Sequence, residues 1–223
     1  MKQSSAWLRM RALEKIGGIE SIMIRRALPI VYLALAVGVL STRPIAYAER
    51  SPEEPTAPKN IDQTPPLVPI PNARVSEEGL LVGGQPTPEH LRAIQEAGYR
   101  MVVSLRAEGE QGDEGERAAV ERLGLKFVSI PVAGPSGLTQ ENARALSKVL
   151  DERDVLPAVV HCSIGERAAA LLGLEAFVVD RLSAPAAIDL AKRLGMKKLE
   201  APLRERIREI CKADASRNCE DLR

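Results

Sequence analysis

The ten residues 158–167, AVVHCSIGER, constrain what this chain can fold into more than any other stretch. An apolar run of strand length ends in His161-Cys162, turns through Gly165 and reaches Arg167, the outline of a strand, a tight loop and a helix. In such a loop, successive backbone N–H groups and the start of the helix direct positive charge at the thiol. That stabilises a thiolate and cradles an oxyanion. Arg167 adds a planar fork that binds two oxygens at once. Cysteine at a strand end is also a common buried residue, but burying a thiol requires neither the glycine nor the arginine. The stretch therefore predicts an anion-holding loop with a reactive cysteine.

His161, Cys162, Gly165 and Arg167 resemble the signature loop of cysteine-dependent phosphatases of the tyrosine and dual-specificity class. The chain resembles in particular the bacterial beta-lactamase-hydrolase-like phosphatase domain, and also the phosphatase domain fused to NAD kinases. The resemblance runs over about residues 80–179 and takes in GGQPTPEHL (83–91), VVSLRAEGE (102–110), IPV (130–132) and the HC loop. It implies an α/β fold with a mostly parallel central sheet flanked by helices. It also implies Cys162 as nucleophile, with Arg167 and the loop residues Ser163, Ile164, Gly165 and Glu166 around a phosphoryl group. The substrate would be a phosphorylated small molecule or protein. Most loops of this class place five residues between cysteine and arginine, whereas here there are four, and Ala168 stands where a Ser or Thr hydroxyl is usual.

The spacing also resembles the Cys-x-x-Gly-x-Arg loop of rhodanese-like sulfurtransferases, whose cysteine carries a persulfide. A third reading keeps the oxyanion pocket without turnover. It draws on Ala168, on Glu166 beside the pocket and on the proton donor. Phosphatases of this class take that donor, an Asp, from the loop after the strand equivalent to 126–132, yet residues 127–150 contain no Asp. Asp113, Glu108 and Glu110, on the acidic loop that follows another strand, are the candidates. Each is also explained by a solvated loop. His161 either orients the loop or biases Cys162 toward thiolate, or it is a strand-end residue satisfied by a backbone partner.

With 223 residues and 45% hydrophobic content, the chain holds one ordinary domain plus extensions. Residues 1–48 carry seven Lys or Arg, leaving 24 basic against 28 acidic residues in 49–223. That mildly acidic remainder, with aromatics only at Tyr99, Phe127 and Phe177, argues against a nucleic-acid partner. Two histidines and no CxxC or HxxxH spacing argue against a metal site, and no cofactor is expected.

Arg25-Arg26, the apolar run 27–40 and Ala46-Tyr47-Ala48 have the form of a signal peptide, well proportioned if it starts at Met23. The run is shorter than the roughly 20 residues that cross a bilayer, so an uncleaved anchor, the one route to a membrane, is the weaker alternative. Export predicts a periplasmic or secreted protein. It also predicts a disulfide between Cys211 and Cys219 that leaves Cys162 free. Seven prolines in 49–72 predict an extended linker over 49–74, with a packed arm at 67–70 as the alternative. The phosphatase-like domain is expected over 75–198, with a C-terminal helix and tail over 199–223.

Strand-like runs at 80–82, 101–105, 126–132 and 155–161 alternate with helical segments at 87–97, 116–124, 140–152 and 167–181. Helices are also expected at 183–194 and 200–212. Alternation of this kind implies parallel strands with right-handed crossovers and ligands beyond the strands' carboxyl ends. It places 106–113, 133–137 and 162–167 on one rim.

Overall fold

The computed structural model describes residues 65–107, 109–110, 115–152, 154–214, 216–217 and 219. The leader, the first part of the linker, Glu108 and Asp113 lie outside the described residues.

The continuous apolar runs form short buried strands, as expected of a sheet covered on both faces. Their order across the sheet is β1-β2-β5-β3-β4. Here β1 is Arg74–Val75, β2 Leu80–Gly83, β3 Met101–Ser104, β4 Lys126–Ser129 and β5 Ala158–His161. Strand β1 runs antiparallel to β2, and all other pairs are parallel. Among the described residues, six helices follow in chain order: α1 (Pro88–Glu96), α2 (Glu116–Arg122), α3 (Gln140–Leu150), α4 (Glu166–Val178), α5 (Ala184–Arg193) and α6 (Glu200–Ala213). Thr87, Thr139 and Ser183 cap α1, α3 and α5 through their side-chain oxygens. His90, read from the sequence as a surface residue, closes the α1 cap by accepting the Thr87 N–H through Nδ1 at 3.1 Å.

Alternate residues of each strand point to opposite faces. Val82, Val103, Val160 and Cys162 join the larger core with residues of α3, α4, α5 and α6. Leu81, Val102 and Val159 join a second core with Leu91 and Ile94 of α1 and Val120 of α2. Helix α4 is buried from Ala168 through Val178, which explains why it reads as apolar all round. Helix α6, set apart in the sequence reading, puts Leu203, Ile207 and Ile210 into the same core.

Strand β4 ends at Ser129, three residues short of the 126–132 expected. Pro131 brings no N–H to a ladder, and a 3₁₀ turn at Gly134–Gly137 follows closely. The proline-rich segment departs further from expectation. Val68 and Ile70 are buried in the second core, so the packed arm forms over 65–72 rather than a solvated linker reaching 74. The Tyr99 hydroxyl donates to the Pro66 carbonyl at 3.1 Å, and the Gly84 N–H to the Pro71 carbonyl at 2.6 Å. Only glycine fits at position 83, where a Cβ would come within 2.7 Å of Ile70 Cδ1.

Cys211 and Cys219 form a disulfide with a Cα separation of 6.2 Å, and Cys162 is free. Closing so short a loop stabilises the fold by ~2 to 3 kcal/mol on the chain-entropy account. Thiol titration of the denatured, unreduced protein is expected to find one thiol per chain. A count of three would remove the bridge.

Candidate active site

The last residues of the four parallel strands, Gly83, Ser129, Ser104 and His161, lie side by side in the sheet register. Loops leaving these ends therefore share one rim, and Cys162 to Arg167 sits at its centre between β5 and α4. Gly165 starts α4 at φ 91°, a conformation that costs L side chains energy. A Cβ there would also press on Gly83, at 3.2 Å.

The loop carbonyls face outward. The Gln85 N–H donates to the Ser163 carbonyl at 3.3 Å, and the Asn72 side-chain amide to the Ile164 carbonyl at 3.1 Å. Because C=O and the next N–H point opposite ways across a trans peptide, the Ile164 and Gly165 N–H groups aim into the loop. The Gly165 N–H does so visibly, donating to Cys162 Sγ at 3.1 Å. The thiol itself is buried, and Ile164 is exposed at the lip.

Arg167 is held from several sides. Its Nη1 and Nη2 donate to the two carboxylate oxygens of Glu110 at 2.5 and 2.7 Å. Nη1 also donates to the Val132 carbonyl at 2.8 Å, and Nη2 to Ser163 Oγ at 2.8 Å. The Ser163 hydroxyl in turn donates to Glu110 Oε2 at 2.7 Å, and the Ala107 N–H to Glu110 Oε1 at 2.8 Å. The Glu110 pair raises the affinity of Arg167 for its proton, so the guanidinium stays charged beside the thiol.

This geometry corrects the expectation that Glu110 could be the proton donor. The Arg167 guanidinium outweighs the cost of burial and, with Ser163 and the Ala107 amide, lowers the Glu110 carboxyl from 4.5 to about 2. At neutral pH it is an anion that orients Arg167. Depressed acids stabilise the fold above their ordinary pKa and lose that contribution as pH falls through the folded value. The stability gap between parent and Glu110→Gln is thus expected to be full above about pH 5 and to vanish by about pH 2. Denaturant unfolding at stepped pH measures it, and a pH-independent gap would remove the ion pair as its cause.

Glu166 is a second correction. Expected among the substrate-contacting residues, it turns its carboxylate to the backbone N–H groups of Lys197, Lys198 and Leu199, at 3.0 to 3.3 Å. Burial pushes its pKa up, but the three amides outweigh it and the net shift is downward. The side chain anchors the α5–α6 turn to the start of α4, leaving only the Glu166 backbone to the loop.

His161 lies on the opposite face from Cys162, fully buried, with Nε2 3.1 Å from Glu116 Oε1. The group facing Nε2 is thus a carboxylate, and neither ring nitrogen makes a hydrogen bond among the described residues. Gln85 Nε2 donates to the same Glu116 oxygen at 2.8 Å, and Arg106 Nη1 donates to Gln85 Oε1 at 2.6 Å. Sequence reasoning missed Gln85 and Glu116. The available signals were a polar residue directly after Gly83-Gly84 at a strand end and an acid on the first turn of α2. Glu108 and Asp113, the other acids expected on this rim, lie outside the described residues.

The comparisons with known proteins agree with this architecture. Residues 72–209 match the sequence profile described as DSP-PTPase phosphatase fused to NAD+ kinase. The beta-lactamase hydrolase-like protein of Xylella fastidiosa (strain Temecula1) is 33% identical over 111 residues, 47% of this chain and 25% of the relative. Its counterpart from Agrobacterium fabrum (strain C58) is 30% identical over 98 residues, 42% of this chain and 22% of the relative. The chain thus spans about a quarter of the length of these relatives. A DUF442 crystal structure from Shewanella putrefaciens CN-32 superposes with a TM-score of 0.52 at 21% identity, covering 63% of this chain and 94% of that one. This likeness shows a shared fold.

Proposed function

The chain belongs to the family of DSP-PTPase phosphatase domains fused to NAD+ kinase, and from that premise we propose that it hydrolyses phosphate monoesters through a phosphocysteine at Cys162. The observation that carries this reading is the Gly165 N–H on Cys162 Sγ, with the charged Arg167 in the same loop.

The Cys162 thiolate attacks phosphorus, an S–P bond forms and the ester P–O bond breaks. Loop N–H groups and Arg167 stabilise the equatorial oxygens, where one well-aimed donor is typically worth about 10²- to 10³-fold in rate. The leaving oxygen takes a proton from Asp113, three residues beyond Glu110 in the sequence. Water then attacks the phosphocysteine and releases phosphate, and the thiolate is restored. The substrate is a phosphorylated small molecule or protein.

The decisive assay sets aryl-phosphate hydrolysis beside sulfur transfer from thiosulfate to cyanide. Phosphate release without sulfur transfer is expected, and the reverse pattern would overturn the proposal. A specific observation favours a second reading, oxyanion binding without turnover: Glu110 occupies both Nη groups of Arg167. Phosphate binding with neither activity would establish it.

Export belongs to the same proposal, supported by Arg25-Arg26, the apolar run 27–40 and Ala46-Tyr47-Ala48. Intact-mass analysis of periplasmic or secreted protein is expected to find a chain beginning at Glu49. Retention of residues 27–40 would instead indicate an anchor.

A further inference from the structure

A side chain of the proline-rich arm, with no part in the chemistry above, reaches the signature loop. Pro71 and Asn72 are the middle residues of a tight turn that the Ala73 N–H closes on the Ile70 carbonyl at 3.1 Å. Proline in second place and a positive φ in third, 56° at Asn72, are the marks of a type II β-turn. Glycine is the ordinary occupant of that third place, and asparagine is one of the few other residues that tolerate it. The turn itself therefore needs no amide. Asn72 supplies one, and its Nδ2 donates to the Ile164 carbonyl, 92 positions away, at 3.1 Å.

The turn that carries this amide is fixed in place. Ile70 is buried in the second core, and the Pro71 carbonyl takes the Gly84 N–H at 2.6 Å. Gly84 also forms an antiparallel bridge with Ile164, and a Cβ on it would meet the Ser163 carbonyl oxygen and Pro71 Cβ, each at 3.0 Å. Arm, strand end and signature loop are thus in close contact, and Asn72 donates from a fixed point.

Peptide geometry says what that bond controls. The Ile164 carbonyl and the Gly165 N–H belong to one trans peptide and point opposite ways. With the carbonyl held outward, the N–H stays on Cys162 Sγ at 3.1 Å. Glycine at 165 makes this plane easy to turn, because rotation changes the Gly165 φ, here 91°, and glycine accepts either sign. Turned over, the peptide would aim a carbonyl oxygen, not a donor, at an anion beside the sulfur. The Ser163 carbonyl is held outward by the Gln85 backbone N–H at 3.3 Å, whereas the next plane takes its outer bond from the Asn72 side chain. Water also bonds an exposed carbonyl, but it is not anchored and does not fix the carbonyl's direction.

We propose that Asn72 is a positioning residue that locks the 164–165 peptide with its N–H turned to the oxyanion, so that the proline-rich arm completes the phosphate pocket from outside. The inference rests on residues 162–167 holding a phosphoryl group, the reading proposed for the site.

The test titrates the full chain, its disulfide intact, with inorganic phosphate and sets the affinity beside a thermal melt. Asn72→Gly keeps the turn and removes the amide. It is expected to weaken phosphate binding roughly three- to tenfold, the worth of about one ordinary hydrogen bond, with a melt close to the parent's. Tyr99→Phe removes the arm's bond to Pro66 without touching the loop, and should leave the affinity unchanged. Asn72→Asp keeps the shape but replaces the donor with an acceptor, and serves if the glycine variant fails to fold. Read against the parent at about 1 M salt, where charges are screened within about 3 Å, it should bind phosphate more weakly still. Parent affinity in a folded Asn72 variant, an equal loss in Tyr99→Phe, or a parent that binds no phosphate would each overturn the proposal. A parent that binds phosphate but hydrolyses no aryl phosphate would sink the phosphatase reading alone, and the same comparison of affinities would still decide the role of Asn72.

Discussion

Cys162→Ser is expected to leave a folded protein whose phosphate-ester turnover is lower by ~10⁵-fold or more, the scale seen when a catalytic nucleophile is removed. The hydroxyl nearly matches the thiol in size and still accepts the Gly165 N–H, so the buried site between β5 and α4 keeps its packing. It is lost as a nucleophile because a serine hydroxyl needs a base to activate it, and neither Arg167 nor the Gly165 amide, which both act on this atom, can take a proton. Steady-state assay with an aryl phosphate, beside a thermal melt, separates chemistry from folding. Turnover at the parent rate would refute the covalent mechanism. A melt lowered by tens of degrees would mean that the loss reports on the fold.

Arg167→Lys carries the second large effect, a fall in kcat/KM of about 10²- to 10³-fold, comparable to the removal of one or more oxyanion donors. The charge survives this change but the fork does not. In the parent, Nη1 and Nη2 together satisfy both oxygens of Glu110, the Val132 carbonyl and Ser163 Oγ. A single ammonium reaches only part of that set, leaving a partly buried carboxylate short of partners and the cation free to swing away from the sulfur. Glu110→Gln, in contrast, keeps the guanidinium and much of its hydrogen bonding, so its kinetic cost should be smaller. If Arg167→Lys retained the parent KM and kcat, Arg167 would have no place in the site.

Some of this protein is readable directly from residue order because the forces concerned are local. Thr87, Thr139 and Ser183 cap helices through backbone N–H groups three residues away, and glycine is favoured where φ turns positive, as at Gly165. The apolar runs at β2, β3 and β5 and their alternation with helices determine a mostly parallel sheet. A parallel sheet in turn puts the loops that follow its strands on one rim. The pairing of Cys211 with Cys219 was legible for the same reason, since they are only eight positions apart.

What only the tertiary structure decided concerns partners that are distant in sequence. Glu110 and Arg167 are 57 positions apart, and nothing in an acidic loop says that one of its carboxylates is spent on orienting a guanidinium instead of delivering a proton. Glu166 adjoins the pocket in sequence, yet its side chain serves the α5–α6 turn more than thirty positions away. The proline-rich arm illustrates the same limit. Its composition favours an extended backbone, but whether such a segment packs depends on the surface waiting for it. Here Gly83 leaves room for Ile70, and the Ile164 carbonyl takes the Asn72 amide. Local order settled which elements form and which rim holds the loop. Side-chain charge found its partners through space, where a few ångströms in a weakly solvated interior outweigh any distance along the chain.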